Sequence, residues 1–157
     1  PPVEDLVGLA YADDNAKANE FLYRRADIED IVSAHLLAAE KAPEIGFARY
    51  IISAPAPFAE GDVQALRDDA PVVVARYVPE YAGLYAKRGW RMLPSLDRVY
   101  VSQRAQDELG WQPKHDFRAV IARLAAGGDW RSDLALRIGY KGYHPEEFED
   151  GPYPVEG

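Results

Sequence analysis

Apolar residues recur at helical spacing along much of the chain. From Asp27 to Ala42, Ile28, Ile31, Val32, His35, Leu36 and Ala39 fall at three- and four-residue steps and predict a helix with these residues inward. Asp27 is placed to cap it, Asp30 adds negative charge to the first turn, where the helix dipole favours it, and Pro43 follows the end. Asp116 to Ala126 is a second amphipathic helix, with Phe117, Val120, Ile121 and Leu124 on one side and Gly127-Gly128 as its stop. Between them the pattern predicts a short helix over Asp62 to Asp69 before Pro71, helix from Val72 to a break at Pro79, and helix from Glu80 to Lys87 ending at Gly89. Ser132 to Ile138, closed by Gly139, is a last short helix.

Two stretches carry a different pattern. Arg49-Tyr50-Ile51-Ile52-Ser53 is short, β-branched and bounded by Gly46 and Pro55, which predicts a buried strand. Arg98-Val99-Tyr100-Val101 predicts a second short strand, after an extended Trp90–Pro94. The expected fold class is therefore α/β and helix-rich, several helices around one or two short strands. A lone strand must pair with something, so the two either form a small sheet or complete a sheet lying outside this chain, and the second is preferred. The polar stretch Ala12–Asn19, poor in large apolar residues, is expected to be loop.

At 157 residues and 48% hydrophobic content the chain supports one domain with a real core. Cysteine is absent, which excludes a disulfide framework and a thiolate metal site. No apolar run approaches membrane-spanning length and no segment resembles a signal peptide, so a cytoplasmic protein without a membrane partner is expected. The formal charge of −8 argues against general nucleic-acid binding. Part of it is local, because the Pro-containing tail over residues 144–157 holds Glu146, Glu147, Glu149, Asp150 and Glu156 with no Lys or Arg. The chain opens Pro1-Pro2-Val3-Glu4 with no initiator Met, and is expected to be a fragment entered mid-protein.

Ser102–Pro113 reads as a helix with its start, stop and exit written in: Ser102 as N-cap, Ala105 and Leu109 inward, Gly110 as the left-handed stop, and Trp111 plugging a core. Taken with Arg24-Arg25-Ala26-Asp27-Ile28-Glu29-Asp30-Ile31-Val32-Ser33-Ala34-His35 and Tyr50-Ile51-Ile52, the run Glu108-Leu109-Gly110-Trp111-Gln112-Pro113 resembles the C-terminal half of the extended short-chain dehydrogenase/reductases. The nearest match is the NAD-dependent epimerase/dehydratase family, UDP-glucose 4-epimerase-like, over roughly Tyr23 to Leu124.

The resemblance implies a two-part enzyme. An N-terminal Rossmann half binds NAD or NADP and carries a Tyr-x-x-x-Lys pair, and a C-terminal half closes over a nucleotide-sugar. This chain has no Tyr-x-x-x-Lys and no glycine-rich dinucleotide turn, so residues 1–143 are expected to be the substrate-binding portion, inactive alone and without catalytic, cofactor-binding or metal residues. Its implied partners are a nucleotide-sugar or related small molecule, its own Rossmann half, and possibly a second copy in a homodimer. The rival expectations are a non-catalytic binding domain on the same scaffold and an oxidoreductase of the superfamily acting on a non-sugar carbonyl or alcohol.

Arg91 stands where the family has an arginine that contacts the nucleotide diphosphate, a task suited to a guanidinium fork. The competing assignment pairs it with a carboxylate such as Asp97. Arg25 is a second candidate ligand, weighed against a salt bridge, and Tyr100 a third, in the stretch the family folds over its substrate. The chain departs from the family at Tyr23, where many epimerases have Arg, and at Arg91-Met92-Leu93-Pro94-Ser95. Lys87 and Arg88 are expected as helix-dipole partners. His35, His115 and His144 share no metal-ligand spacing, and His35 is expected to pack on an inner face. Asp13-Asp14 and Asp68-Asp69 are expected to be solvated turns, Trp90, Trp111 and Trp130 core anchors, and residues 139–144 a surface turn.

Overall fold

A computed structural model describes residues 11–139 of the chain. The acidic tail, His144, most of the 139–144 turn and the Pro1–Glu4 opening lie outside the described residues. The described part is all helical, which corrects the expected α/β class: α1 (Asp13–Glu20), α2 (Ile28–Ile45), a 3₁₀ turn (Glu60–Asp62), α3 (Val63–Tyr77), α4 (Glu80–Arg88), α5 (Gln103–Leu109), α6 (Phe117–Ala125) and α7 (Asp133–Ile138). Among the described residues no strand forms, and no helix is long and apolar enough to cross a membrane.

The two expected strands fail for want of a ladder. A strand pair needs a repeating series of backbone bonds, whereas 49–53 and 98–101 make isolated ones. The Ala54 amide donates to the Arg25 carbonyl at 2.8 Å and the Tyr100 amide to the Tyr23 carbonyl at 2.8 Å. The two segments meet only through the Ser53 hydroxyl, which donates to the Tyr100 carbonyl at 3.3 Å. They are extended lanes laid along the turn after α1. Tyr50 and Ile52 face inward, while Ile51 is 50% exposed.

Helix α2 forms, but on a different face from the expected one. Its buried positions are Asp30 and Ala34, with Leu37 and Ala38 packed beside them, while Val32, His35 and Leu36 are exposed. The buried side meets Ala105 and Leu109 of α5 and the plug Trp111. The Trp111 indole donates to the Asp30 carbonyl at 3.1 Å and to the Ser33 hydroxyl at 3.0 Å. The Asp30 carboxylate accepts the Lys114 and His115 amides, each at 2.9 Å, so a residue expected to serve the helix dipole fastens the loop that carries Trp111.

The larger core lies between α1, α3, α4 and α6 and is built on Phe21, Leu22, Val73, Val74, Tyr85 and Phe117. Helix α6 buries the four apolar residues expected of it and is capped by Asp116, which accepts from the Ala119 amide at 2.8 Å. Helix α3 joins the two expected pieces through a kink at Asp69 (φ −156°, ψ 82°). There the Asp69 side chain accepts from the Val72 amide at 3.3 Å and starts the second piece, which tolerates Pro71 in its first turn. Gly110 ends α5 at φ 67°, as the pattern predicts, but Ser102 makes no side-chain cap bond and its hydroxyl accepts from Gln106 at 3.2 Å instead.

Candidate functional site

Helix α1 is unexpected, since Ala12–Asn19 offers little apolar surface. It is held by amides. Asn15 and Asn19, one turn apart on its inner face and 2% and 1% exposed, recognise the peptide of Arg91. The Arg91 amide donates to Asn15 Oδ1 at 2.9 Å, and the Arg91 carbonyl accepts from Asn15 Nδ2 at 2.9 Å and Asn19 Nδ2 at 3.0 Å. Asn19 Oδ1 in turn accepts the Tyr85 hydroxyl at 2.9 Å. Burial, assisted by Tyr81, pushes the Tyr85 phenol well above its usual range, so it stays a donor. The backbone of Arg91 is thereby fixed while its side chain is exposed, the guanidinium 5.2 Å from the centre of the Tyr11 ring.

The C-terminal end of α1 builds a second arrangement. The Glu20 carbonyl accepts the amides of Tyr23 (3.1 Å), Arg24 (2.9 Å) and Arg25 (2.9 Å), so the chain wraps around one oxygen. That winding brings both arginine side chains back onto the Glu20 carboxylate. Arg24 Nη2 lies 2.6 Å from Oε1, and Arg25 reaches Oε2 through Nε at 2.8 Å and Nη2 at 2.5 Å. Aromatic rings steady both guanidiniums, Tyr23 at 5.3 Å from Arg24 and Trp130 at 5.5 Å from Arg25. The Trp130 indole is itself tied to Asp14 of α1 at 2.8 Å. Glu20, Arg24, Arg25 and Ala26 line an open cleft of about 400 Å³.

Asp27 closes the far side of this turn. It is 3% exposed and accepts from the Ser132 hydroxyl at 2.5 Å, the Ser132 amide at 2.9 Å and the Glu29 amide at 2.9 Å. Burial works against its charge, but these hydrogen bonds outweigh burial, with a smaller contribution from His115, and hold the carboxyl below its ordinary value. Glu20 lines the cleft, and Asp27, next in sequence after the lining residue Ala26, ties the start of α2 to Ser132.

The three expected site residues are held by three different anchors. Arg91 is held by α1, and Arg25 lines the cleft with its charge engaged by Glu20. Tyr100, 40% exposed, is fixed by its backbone to Tyr23 and Ser53. Of the three, only Arg25 lines the cleft. Arg88 donates to the Leu124 carbonyl at 3.1 Å and lies over Trp90, which ties α4 to α6. Trp111 and Trp130 are buried, as expected of core anchors, but Trp130 also serves Arg25 as a platform. His35 is exposed rather than packed inside, its Nδ1 2.8 Å from the Ile31 carbonyl. Sequence reasoning passed over Glu20 and Arg24, although their four-residue spacing on a helix end was a signal. It also passed over Asn15 and Asn19, whose spacing marks a helix face only once the helix is recognised.

A dinucleotide pyrophosphate is best received by an open, uncharged helix start. Among the described residues the starts of α1, α2, α4, α6 and α7 carry Asp13, Asp27, Glu80, Asp116 and Asp133, whereas α5 has no acidic residue in its first turn. No group of three or more His, Cys, Asp or Glu side chains among the described residues could hold a metal ion. Comparison with known proteins gives no match, whether to a family model, a curated protein or a solved structure.

Proposed function

We propose that this chain is the substrate-binding portion of an NAD(P)-dependent nucleotide-sugar epimerase/dehydratase-like enzyme. The observation that carries the proposal is the cleft at the end of α1, where two guanidiniums share one carboxylate. It gathers two cationic forks at a fixed place in a chain whose formal charge is −8. A nucleotide-sugar presents two phosphate groups, each singly charged and each with two free oxygens, which is the shape a guanidinium fork recognises.

In this proposal Arg25 and Arg24 hold one phosphate, Arg91 reaches the diphosphate from its asparagine-locked backbone, and Tyr100 covers the sugar side. In this reading NAD or NADP sits on a separate dinucleotide-binding half, where the nicotinamide supplies the hydride chemistry. Exposed apolar residues support such a partner. Helix α2 is apolar on two faces and buries only one, leaving Val32 at 42% and Leu36 at 64% exposed. This chain's own task is to bind and orient the substrate.

Calorimetric titration of the whole protein with UDP-, dTDP- and GDP-sugars tests this, beside Arg25→Gln and Arg91→Ala. At least one nucleotide-sugar is expected to bind saturably, with about a tenfold loss in each variant. Unchanged affinity in Arg91→Ala removes Arg91 from the site, and absence of binding by every nucleotide-sugar refutes the proposal.

A further inference from the structure

We infer that the Glu20 carboxylate is an internal stand-in for the substrate's oxyanion, one that keeps the Arg24 and Arg25 fork assembled and is displaced when a singly charged, two-oxygen group binds in the cleft. The inference rests on the proposed nucleotide-sugar reading for the identity of that group. Its geometry is independent of that reading.

Glu20 acts twice, through separate atoms. Its carbonyl winds the 23–25 turn by accepting three amides, and this does not involve the side chain. Its carboxylate offers one oxygen to each guanidinium, the divided arrangement that one phosphate of a diphosphate diester, or a sugar carboxylate, would present. The rings of Tyr23 and Trp130 keep the two guanidinium planes in place. The Glu20 carboxylate is set between the two guanidiniums and competes with an external anion for the same donors.

Competition has a sign that a plain structural salt bridge lacks. Removing the Glu20 charge while keeping its carbonyl should tighten binding of the external anion, whereas removing either arginine should weaken it. A carboxylate that merely fastens the turn would, on removal, loosen the fork and weaken binding.

The test is titration of the whole protein with UDP-glucose and, separately, with galacturonate, in wild type, Glu20→Gln and Arg24→Gln, with thermal unfolding of each. The inference expects Glu20→Gln to bind one of the two ligands about tenfold more tightly than wild type, and Arg24→Gln about tenfold less tightly. The ligand that responds separates a phosphate-bearing from a carboxylate-bearing substrate. If Glu20→Gln does not fold, Glu20→Ala, which also removes the charge and keeps the carbonyl, reads the same point. Equal or weaker binding of both ligands in the Glu20 variant overturns the inference, and leaves the nucleotide-sugar reading standing where wild type binds UDP-glucose. Tightening toward galacturonate alone upholds the inference and overturns that reading. No binding of either ligand by any of these proteins overturns both.

Discussion

Asn15 pairs edge to edge with the peptide of Arg91, its Oδ1 accepting the amide and its Nδ2 donating to the carbonyl, both at 2.9 Å. The pair joins residues 76 apart in sequence and is the means by which a helix with little apolar surface is held in the core. Replacing Asn15 by Leu fills similar space but strands the Arg91 amide and leaves the Arg91 carbonyl with Asn19 as its amide donor. The expected loss is about 2–3 kcal/mol of unfolding free energy, read from urea denaturation. A loss below about 0.5 kcal/mol would show that the amide pair does not anchor α1.

Asp27 gives the fold an acid limit. Its carboxyl lies below the ordinary value in the folded protein, so its contribution to stability is fully present above the unfolded value near 3.8 and is lost as pH falls through the folded one. Thermal unfolding followed from pH 7 to pH 2 should show Asp27→Asn less stable than wild type at neutral pH. The gap should narrow as pH falls below the unfolded value and close once it is below the folded one. A gap constant across the range would mean that the charge of Asp27 is irrelevant and only its shape matters.

Trp111 fills the smaller core and ties α2 to α5 through its indole, at 1% exposure. Trp111→Ala is expected to cost about 3–5 kcal/mol. Trp111→Phe keeps most of the packing and loses only the bonds to Asp30 and Ser33, so about 1–2 kcal/mol is expected. Chemical denaturation of the two variants separates packing from hydrogen bonding.

Gly110 sits at φ 67°, and an added Cβ there meets nothing within 4 Å. Gly110→Ala therefore carries backbone strain alone, worth about 1–2 kcal/mol. A neutral result would indicate that the end of α5 relaxes out of the left-handed conformation.

The outer face of α2 separates folding from function. Leu36→Asp, at a residue 64% exposed, should change the stability of the isolated 157-residue chain by less than about 0.5 kcal/mol. If the proposed function holds, it should lower enzyme activity by weakening the proposed seat of a dinucleotide-binding half. Full activity in that variant would contradict the assignment of this face.

The fold was legible wherever a local signal and the tertiary packing agreed. The 3.6-residue repeat of Phe117, Val120, Ile121 and Leu124 sits on the core as expected, and Gly89 and Gly110 end their helices in the left-handed conformation. It was illegible where packing overrode composition. Helix α2 has two apolar faces, and periodicity cannot say which one this chain covers. Helix α1 is buried through asparagines that hydropathy counts as polar, and Tyr50-Ile51-Ile52 has strand composition but no backbone partner. At the candidate site Arg25 was visible as a charge, and its neutraliser Glu20 was hidden because it lies on a helix the composition did not announce.

The most direct test of the central claim is calorimetry of a UDP-sugar titrated into the whole protein and into Arg25→Gln, with both shown to be folded by thermal unfolding. The account predicts saturable binding in the first and about a tenfold weaker constant in the second. Identical affinity in the two proteins, or no heat from any nucleotide-sugar, would contradict it.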